Sequence, residues 1–351
     1  MARNLKPAEN GLERRSILKG VGLGIGLGLA SRLAPAQAQG VTPAAASGGE
    51  IWSSDYWANK SGVKLNLWRK RVAAPNAGEH PLPILFLVHG SSNSTRSSFD
   101  LNVPGKGEYS LMNVMARSGY DVWTMDHDGY GYSGSSGNNS DIASGVEDLK
   151  AAIPLVLRET GQTKMHFYGT SSGAIRAAAY AAAQPERVDR LVLVAYSHKG
   201  TGAPEIQART RRIEQLRSSN RRKRDADMIR SIFTRDGHAS SYDSAVPEAI
   251  IAAELKFGDQ IPTGTYLDMA ANLPIVDPKK VLSPVLMIRG IYDGNSTTED
   301  LLDFYQQLPN GDRQFVILPH TAHSPGYSNN RHLLWYATRN FLAAPAPVPA
   351  S

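Results

Sequence analysis

Residues 164–183 read Lys-Met-His-Phe-Tyr-Gly-Thr-Ser-Ser-Gly-Ala-Ile-Arg-Ala-Ala-Ala-Tyr-Ala-Ala-Ala, and no other stretch constrains the fold as much. A short apolar run of strand character breaks at Gly169-Thr-Ser-Ser-Gly173 and resumes at once as an alanine-rich run, the composition of a helix. Strand, tight turn and helix in so few residues require a sharp reversal that brings backbone against backbone. Glycines at 169 and 173 suit that approach because a Cβ would have no room. The reversal pushes Ser171 out at the top of the turn. Ser172 opens the helix, so its backbone N–H has no partner within the helix and is free to face an anion. In a chain with 32 glycines the pentapeptide alone could be an ordinary glycine-rich turn, and its context decides.

A chain of 351 residues can bury a large core, as one large domain with an insertion or as two smaller ones. It contains no cysteine, which excludes disulfides, thiolate chemistry and cysteine-bound zinc. Near the N-terminus, Glu13-Arg-Arg-Ser-Ile-Leu-Lys19 precedes an apolar, glycine-rich run over residues 20–30, and Ala36-Gln-Ala38 offers a small-residue cleavage site. This resembles a bacterial twin-arginine export signal covering residues 1–38, which implies recognition by the twin-arginine machinery, cleavage near Gln39 and a periplasmic or secreted protein. The apolar run is too short for a permanent membrane span. The same segment carries six Lys/Arg and two acids, or +4 of the net +6. The remainder is near neutral, so the basic balance is no argument for nucleic-acid binding.

Residues 39–50 have the small, polar composition of a linker. Residues 53–58 and 63–72 alternate as strands around Lys60-Ser-Gly62 and suit an antiparallel entry to a larger sheet. The continuous apolar run that follows Pro83 and ends at Gly90 reads as a strand buried on both faces, 188–196 reads as another buried strand, and 121–126, 165–170, 285–290 and 314–318 read as further strands. Helical patterns fall between them: residues 110–117, 142–159 with apolar positions at Ile142, Val146, Leu149, Ile153, Val156 and Leu157, then 297–307 and 330–342. This alternation predicts an α/β fold, a mostly parallel central sheet with helices on both faces. The alternation lapses over 198–280, which reads as helices and loops inserted after the sixth strand. The core is thus expected in two parts, 51–197 and 281–342, with a frayed Ala/Pro-rich tail at 343–351.

With His89-Gly90 after one strand, Asp126-x-x-Gly129-x-Gly131-x-Ser133 after the next, the Ser171 turn, an acid after a later strand and a histidine near the end, residues 51–342 resemble an α/β-hydrolase with a helical cap. The resemblance implies a catalytic triad in the chain order Ser, Asp, His. Ser171 takes the nucleophile's place, and Asp293, in Gly290-Ile-Tyr-Asp-Gly294, takes the acid's. His323 takes the histidine's, because the family usually places a small residue before it and Ala322-His323 fits better than Pro319-His320. His320 is read as a loop or supporting residue, and a metal site built on His320 and His323 lacks conspicuous further ligands. The oxyanion hole is expected to combine the Ser172 N–H with one from the loop after Gly90, on Ser91. His89 is expected to orient that loop, and Asp126 to be structural.

The resemblance implies a cofactor-free serine hydrolase that cleaves a carboxylic ester or related acyl bond of a small-molecule substrate through an acyl-enzyme. Lactones, amides, aminoacyl peptides and carbon–carbon bonds are open on the same triad, as is a non-catalytic binding protein on this fold. The insertion carries Arg209, Arg211, Arg212, Arg217, Arg221, Arg222, Lys223, Arg224 and Arg230 against Glu205, Glu214, Asp225 and Asp227. These basic residues form either a rim that attracts an anionic substrate or a solvated helix face.

Overall fold

The computed structural model describes residues 49–348. The export signal, most of the linker and the last three residues lie outside them. An antiparallel hairpin of β1 (Ile51–Lys60) and β2 (Val63–Val72) opens the chain, paired end to end through the turn at Ser61-Gly62. The parallel strands follow: β3 (Ile84–Val88), β4 (Asp121–Met125), β5 (Met165–Thr170) and β6 (Val188–Val194), then β9 (Val285–Gly290) and β10 (Arg313–Leu318) after the insertion. The eight-stranded sheet runs in the order β1-β2-β4-β3-β5-β6-β9-β10, and among its pairings only β1–β2 and β2–β4 are antiparallel.

Period-two alternation assigns the strand residues to two apolar layers. Ile84, Phe86 and Val88 of β3 face one way, onto α3 (Ile142–Thr160) and α4 (Ser172–Ala183). Leu85 and Leu87 face the other way, onto α2 (Leu111–Arg117) and α11 (Arg331–Leu342). A sheet covered on both sides needs apolar residues at every position, so these strands show no alternation in sequence. The α3 helix forms where its stripe predicts, burying Ile142, Val146, Leu149, Ile153 and Val156. Asp141 caps its start by accepting from Ser144 N at 2.7 Å, and Gly161 ends it with φ +67°. Among the described residues no helix is long and apolar enough to cross a membrane.

Between β6 and β9 the chain forms α5 (Pro204–Thr210), α6 (Ile213–Arg217), α7 (Ala226–Thr234), α8 (Ala245–Glu254) and α9 (Gly264–Ala271). It also forms a two-stranded antiparallel pair, β7 (Arg221–Lys223) with β8 (Gln260–Pro262), which the sequence did not suggest. Ile229, Ile232 and Phe233 of α7 and Val246 and Ile250 of α8 pack with Leu101, Val103, Tyr109, Ala322 and Tyr327 of the core. The insertion is thereby seated over the carboxyl ends of the strands, where an open α/β sheet presents its binding crevice.

Candidate active site

The turn after β5 has the close backbone approach anticipated from its glycines. A Cβ on Gly169 would lie 2.4 Å from Gly173 O, and one on Gly173 would lie 2.2 Å from Val88 O. Ser171 takes φ +56°, ψ −128°, a conformation disfavoured for a residue with a side chain. Its N–H donates to Val194 O of β6 at 2.9 Å, fixing the turn to the neighbouring strand.

His323 and Asp293 arrive from the loops after β10 and β9. Gly290 lets those loops meet, since a Cβ there would lie 2.4 Å from Ala322 O and 2.5 Å from Thr321 O, and Tyr292 N donates to Thr321 O at 2.9 Å. His323 Nε2 lies 2.9 Å from Ser171 Oγ, and His323 Nδ1 lies 2.8 Å from Asp293 Oδ1. The structure thus joins the three sequence-predicted side chains in one hydrogen-bonded line, with Asp293 and His323 buried and Ser171 half-buried. Burial pushes the Asp293 carboxyl up, but the adjacent His323, the Asn295 N–H at 2.8 Å and Arg289 outweigh it and hold the group below its ordinary range. An ionised carboxylate on Nδ1 favours the tautomer that leaves the Nε2 lone pair facing the serine hydroxyl.

On the opposite side of Ser171, a Cβ on Gly90 would lie 3.2 Å from Ser171 Cβ, which places the loop after β3 directly against the serine. Ser91 and Ser172, the expected oxyanion residues, have their hydroxyls 2.7 Å apart, and Thr265 Oγ1 donates to Ser91 Oγ at 2.8 Å. Tyr130 OH donates to Ser91 O at 2.8 Å. His89 is fully buried; Nδ1 donates to Gly90 O at 2.8 Å and Nε2 accepts from His127 N at 3.0 Å, so it clamps this loop to the one after β4. Burial, with His127 and Arg176 nearby, holds its basicity well below the ordinary value, consistent with a neutral ring that donates at one nitrogen and accepts at the other. Asp126 accepts from Thr95 N at 2.7 Å and Tyr132 N at 2.8 Å, and burial pushes its carboxyl up to about 7. His320 is exposed, with its Nδ1 3.4 Å from Tyr292 OH, and makes no hydrogen bond to Ser171, His323 or Asp293.

A family model described as serine aminopeptidase, S33, matches residues 104–326, more than half of the chain, and that span takes in Ser171, Asp293 and His323. The chain belongs to this family. It is accordingly an α/β-hydrolase superfamily member. Curated relatives include a 2-hydroxy-6-oxononadienedioate/2-hydroxy-6-oxononatrienedioate hydrolase of Paraburkholderia phymatum, 34% identical over 34% of this chain and 37% of that protein. Lipase 3 of Drosophila melanogaster is 30% identical over 34% of this chain and 32% of that protein. The chain thus spans about a third of the length of the curated relatives it matches. Among solved structures, the enol-lactonase from Burkholderia xenovorans covers 82% of this chain and all of its own length with a TM-score of 0.58 at 14% identity, a likeness of fold.

Several residues at this family site carried no signal in the sequence. Asn295 is fully buried, and its Nδ2 lies 3.1 Å from His323 Nε2 as a second donor beside the Ser171 hydroxyl. Arg289, inside β9, donates to Ile291 O, Asp293 O and Ser296 O at 3.0 Å each, clasping the acid-bearing loop from within. Asp236, just beyond α7 in the insertion, accepts the His323 backbone N–H at 3.0 Å. Asn295 and Asp236 occur in Asp-Gly-Asn and Arg-Asp-Gly segments that read as turns, and Arg289 reads as a strand residue. Only the fold discloses their partners.

Proposed function

We propose that the protein is a serine hydrolase that cleaves carboxylic esters through an acyl-enzyme. The observation that carries this reading is the contact of His323 Nε2 with Ser171 Oγ at 2.9 Å, backed by Asp293 on Nδ1. As Ser171 Oγ bonds to the substrate carbonyl carbon, its proton passes to His323 Nε2 and the carbonyl electrons move onto oxygen. The resulting oxyanion is held by the Ser91 and Ser172 backbone N–H groups. Collapse breaks the carbon–oxygen bond to the alcohol, which leaves with the proton from Nε2. Water then attacks the acyl-enzyme, gives a proton to Nε2, and the acid is released as Ser171 Oγ regains that proton. Asp293 stays ionised and stabilises the imidazolium in both halves.

Two measurements test the assignment. A fluorophosphonate probe labels the wild type and leaves Ser171→Ala unlabelled, and Ser171→Ala lowers kcat on 4-nitrophenyl esters by about 10⁴-fold or more with the fold intact. Labelling of Ser171→Ala at the wild-type rate would refute the nucleophile. The reading extends to a substrate met outside the cytoplasm, supported by Arg14-Arg15 and the apolar run after them, with the export machinery as a transient partner. N-terminal sequencing of exported protein is expected to begin near Gln39; a chain still carrying Met1 would overturn that part.

A further inference from the structure

The basic residues of the insertion meet three different fates. Arg217 pairs with Glu214, Arg230 with Asp227 and Glu248, and Lys223 with Asp225, all in exposed ion pairs of the solvated kind. Arg224 is buried against Glu254. Arg209 and Arg222 are instead turned inward with Arg235, which lies just beyond α7.

Ser171 and His323 open onto a cavity of about 80 Å³ whose core-side wall sets Phe99, Leu111, Tyr168, Leu334 and Trp335 beside the polar loop residues Ser91, Ser92 and Asn93. Its insertion-side wall is Arg209, Arg235, Ile232 and Tyr266. The same four residues bound a second cavity of about 580 Å³, where Arg212, Arg221 and Arg222 join them beside Glu205, with Lys223, already paired with Asp225, at its edge. The cavity holding the serine and the cationic one therefore share a wall.

The two guanidinium groups on that wall have donors to spare. Arg209 Nη1 reaches the weak acceptor Met269 Sδ at 3.5 Å, with the Tyr266 ring 5.8 Å away. Arg235 Nε is buried with no hydrogen-bond partner among the described residues, and the carboxylate nearest it, Glu205, is 4.0 Å away. Burial and the proximity of Arg235 pull the Arg209 guanidinium down to about 10, and the two like charges repel each other. Glu205 supplies one negative charge to two positive ones. A monoanion between them would supply the missing acceptors and balance the charge, and a carboxylate matches guanidinium forks in shape.

We infer that the site takes an ester bearing a carboxylate remote from the scissile carbonyl, with its apolar part against Phe99, Leu111 and Trp335 and its carboxylate on Arg209 and Arg235. The inference rests on the ester-hydrolase reading above and names its substrate class.

The test compares 4-nitrophenyl valerate with mono(4-nitrophenyl) glutarate, which has the carboxylate at the end of the acyl chain, and with 4-(valeryloxy)benzoate, which has it on the leaving side. The wild type is expected to favour one carboxylate ester over the valerate by about 10-fold or more in kcat/KM, the range for a hydrogen-bonded charge. Added salt should narrow that ratio. Arg209→Gln with Arg235→Gln should collapse it, and Arg235→Lys should keep part of it. A wild type that hydrolyses the valerate but prefers neither carboxylate ester overturns the inference and leaves the hydrolase reading standing. A preference that survives the double substitution overturns the assignment to these arginines. Failure to hydrolyse any of the three esters strikes at the ester-hydrolase reading itself.

Discussion

His323 is held at three points: Asp293 on Nδ1, Ser171 and Asn295 on Nε2, and Asp236 on the backbone N–H. In the proposed mechanism the Ser171 contact carries the proton and the Asp293 contact orients the ring, whereas the Asp236 contact fixes where the ring is. Asp236 also lies against the acid-bearing loop, since a Cβ on Gly294 would be 2.8 Å from Asp236 Oδ1. One carboxylate of the insertion therefore touches both loops that carry the histidine and its acid. It is a positioning residue, and small displacements of a general base are costly, up to about 100-fold in rate for about 1 Å. Asp236→Ala is expected to lower kcat about 10- to 100-fold while KM stays within about twofold, and Asp236→Asn, which keeps an acceptor oxygen, to restore most of it. Steady-state kinetics of the two variants decide the matter: equal losses in both would mean that the charge, and not the hydrogen bond, is what matters.

At the scale of elements, legibility follows burial. The strand β3 stands where an unbroken apolar run places it, because burial on two faces leaves a mark at every residue, and β5, β6 and β9 follow largely apolar runs that only His166, the pair Asp189-Arg190 and Arg289 interrupt. The α3 helix is equally plain from its stripe. The turn at Ser171 was readable because glycine is demanded twice by backbone contact, and Gly290 makes the same demand where the acid and histidine loops cross. The pair β7–β8 was not readable: three residues are too few to show a period, and Arg-Arg-Lys gives no strand signal. The short helix α1 (Thr95–Phe99) was missed for a related reason. It buries Thr95 and Ser97 against polar partners and only Phe99 against apolar ones, and one apolar residue makes no stripe. Charge was the hardest to read, since Arg209, Arg217 and Arg224 look alike along the chain yet face a cavity, solvent and a buried carboxylate respectively.

Across the whole molecule, the insertion is tied to the core by that buried carboxylate. Glu254, fully buried at the end of α8, accepts from Ser94 N at 2.7 Å and Ser94 Oγ at 2.6 Å, and also from Ser97 Oγ and from Arg224. Arg224 in turn donates to Ser92 O at 3.3 Å, Glu254 O at 2.9 Å and Gly258 O at 3.0 Å. The knot thus fastens the insertion to the loop after β3 that carries Ser91, so the roof over the cavity and the expected oxyanion donor share one anchor. A buried ion pair is weak as a net stabiliser, but removing one partner strands the other in a low-dielectric site. Glu254→Leu should therefore destabilise the protein by about 3–5 kcal/mol, and the double variant Glu254→Leu with Arg224→Met by less than Glu254→Leu alone, because no charge is then left unpaired. Urea unfolding followed by circular dichroism measures both. A double variant that loses as much as Glu254→Leu alone, or more, would show that the stranded Arg224 charge is not what costs stability.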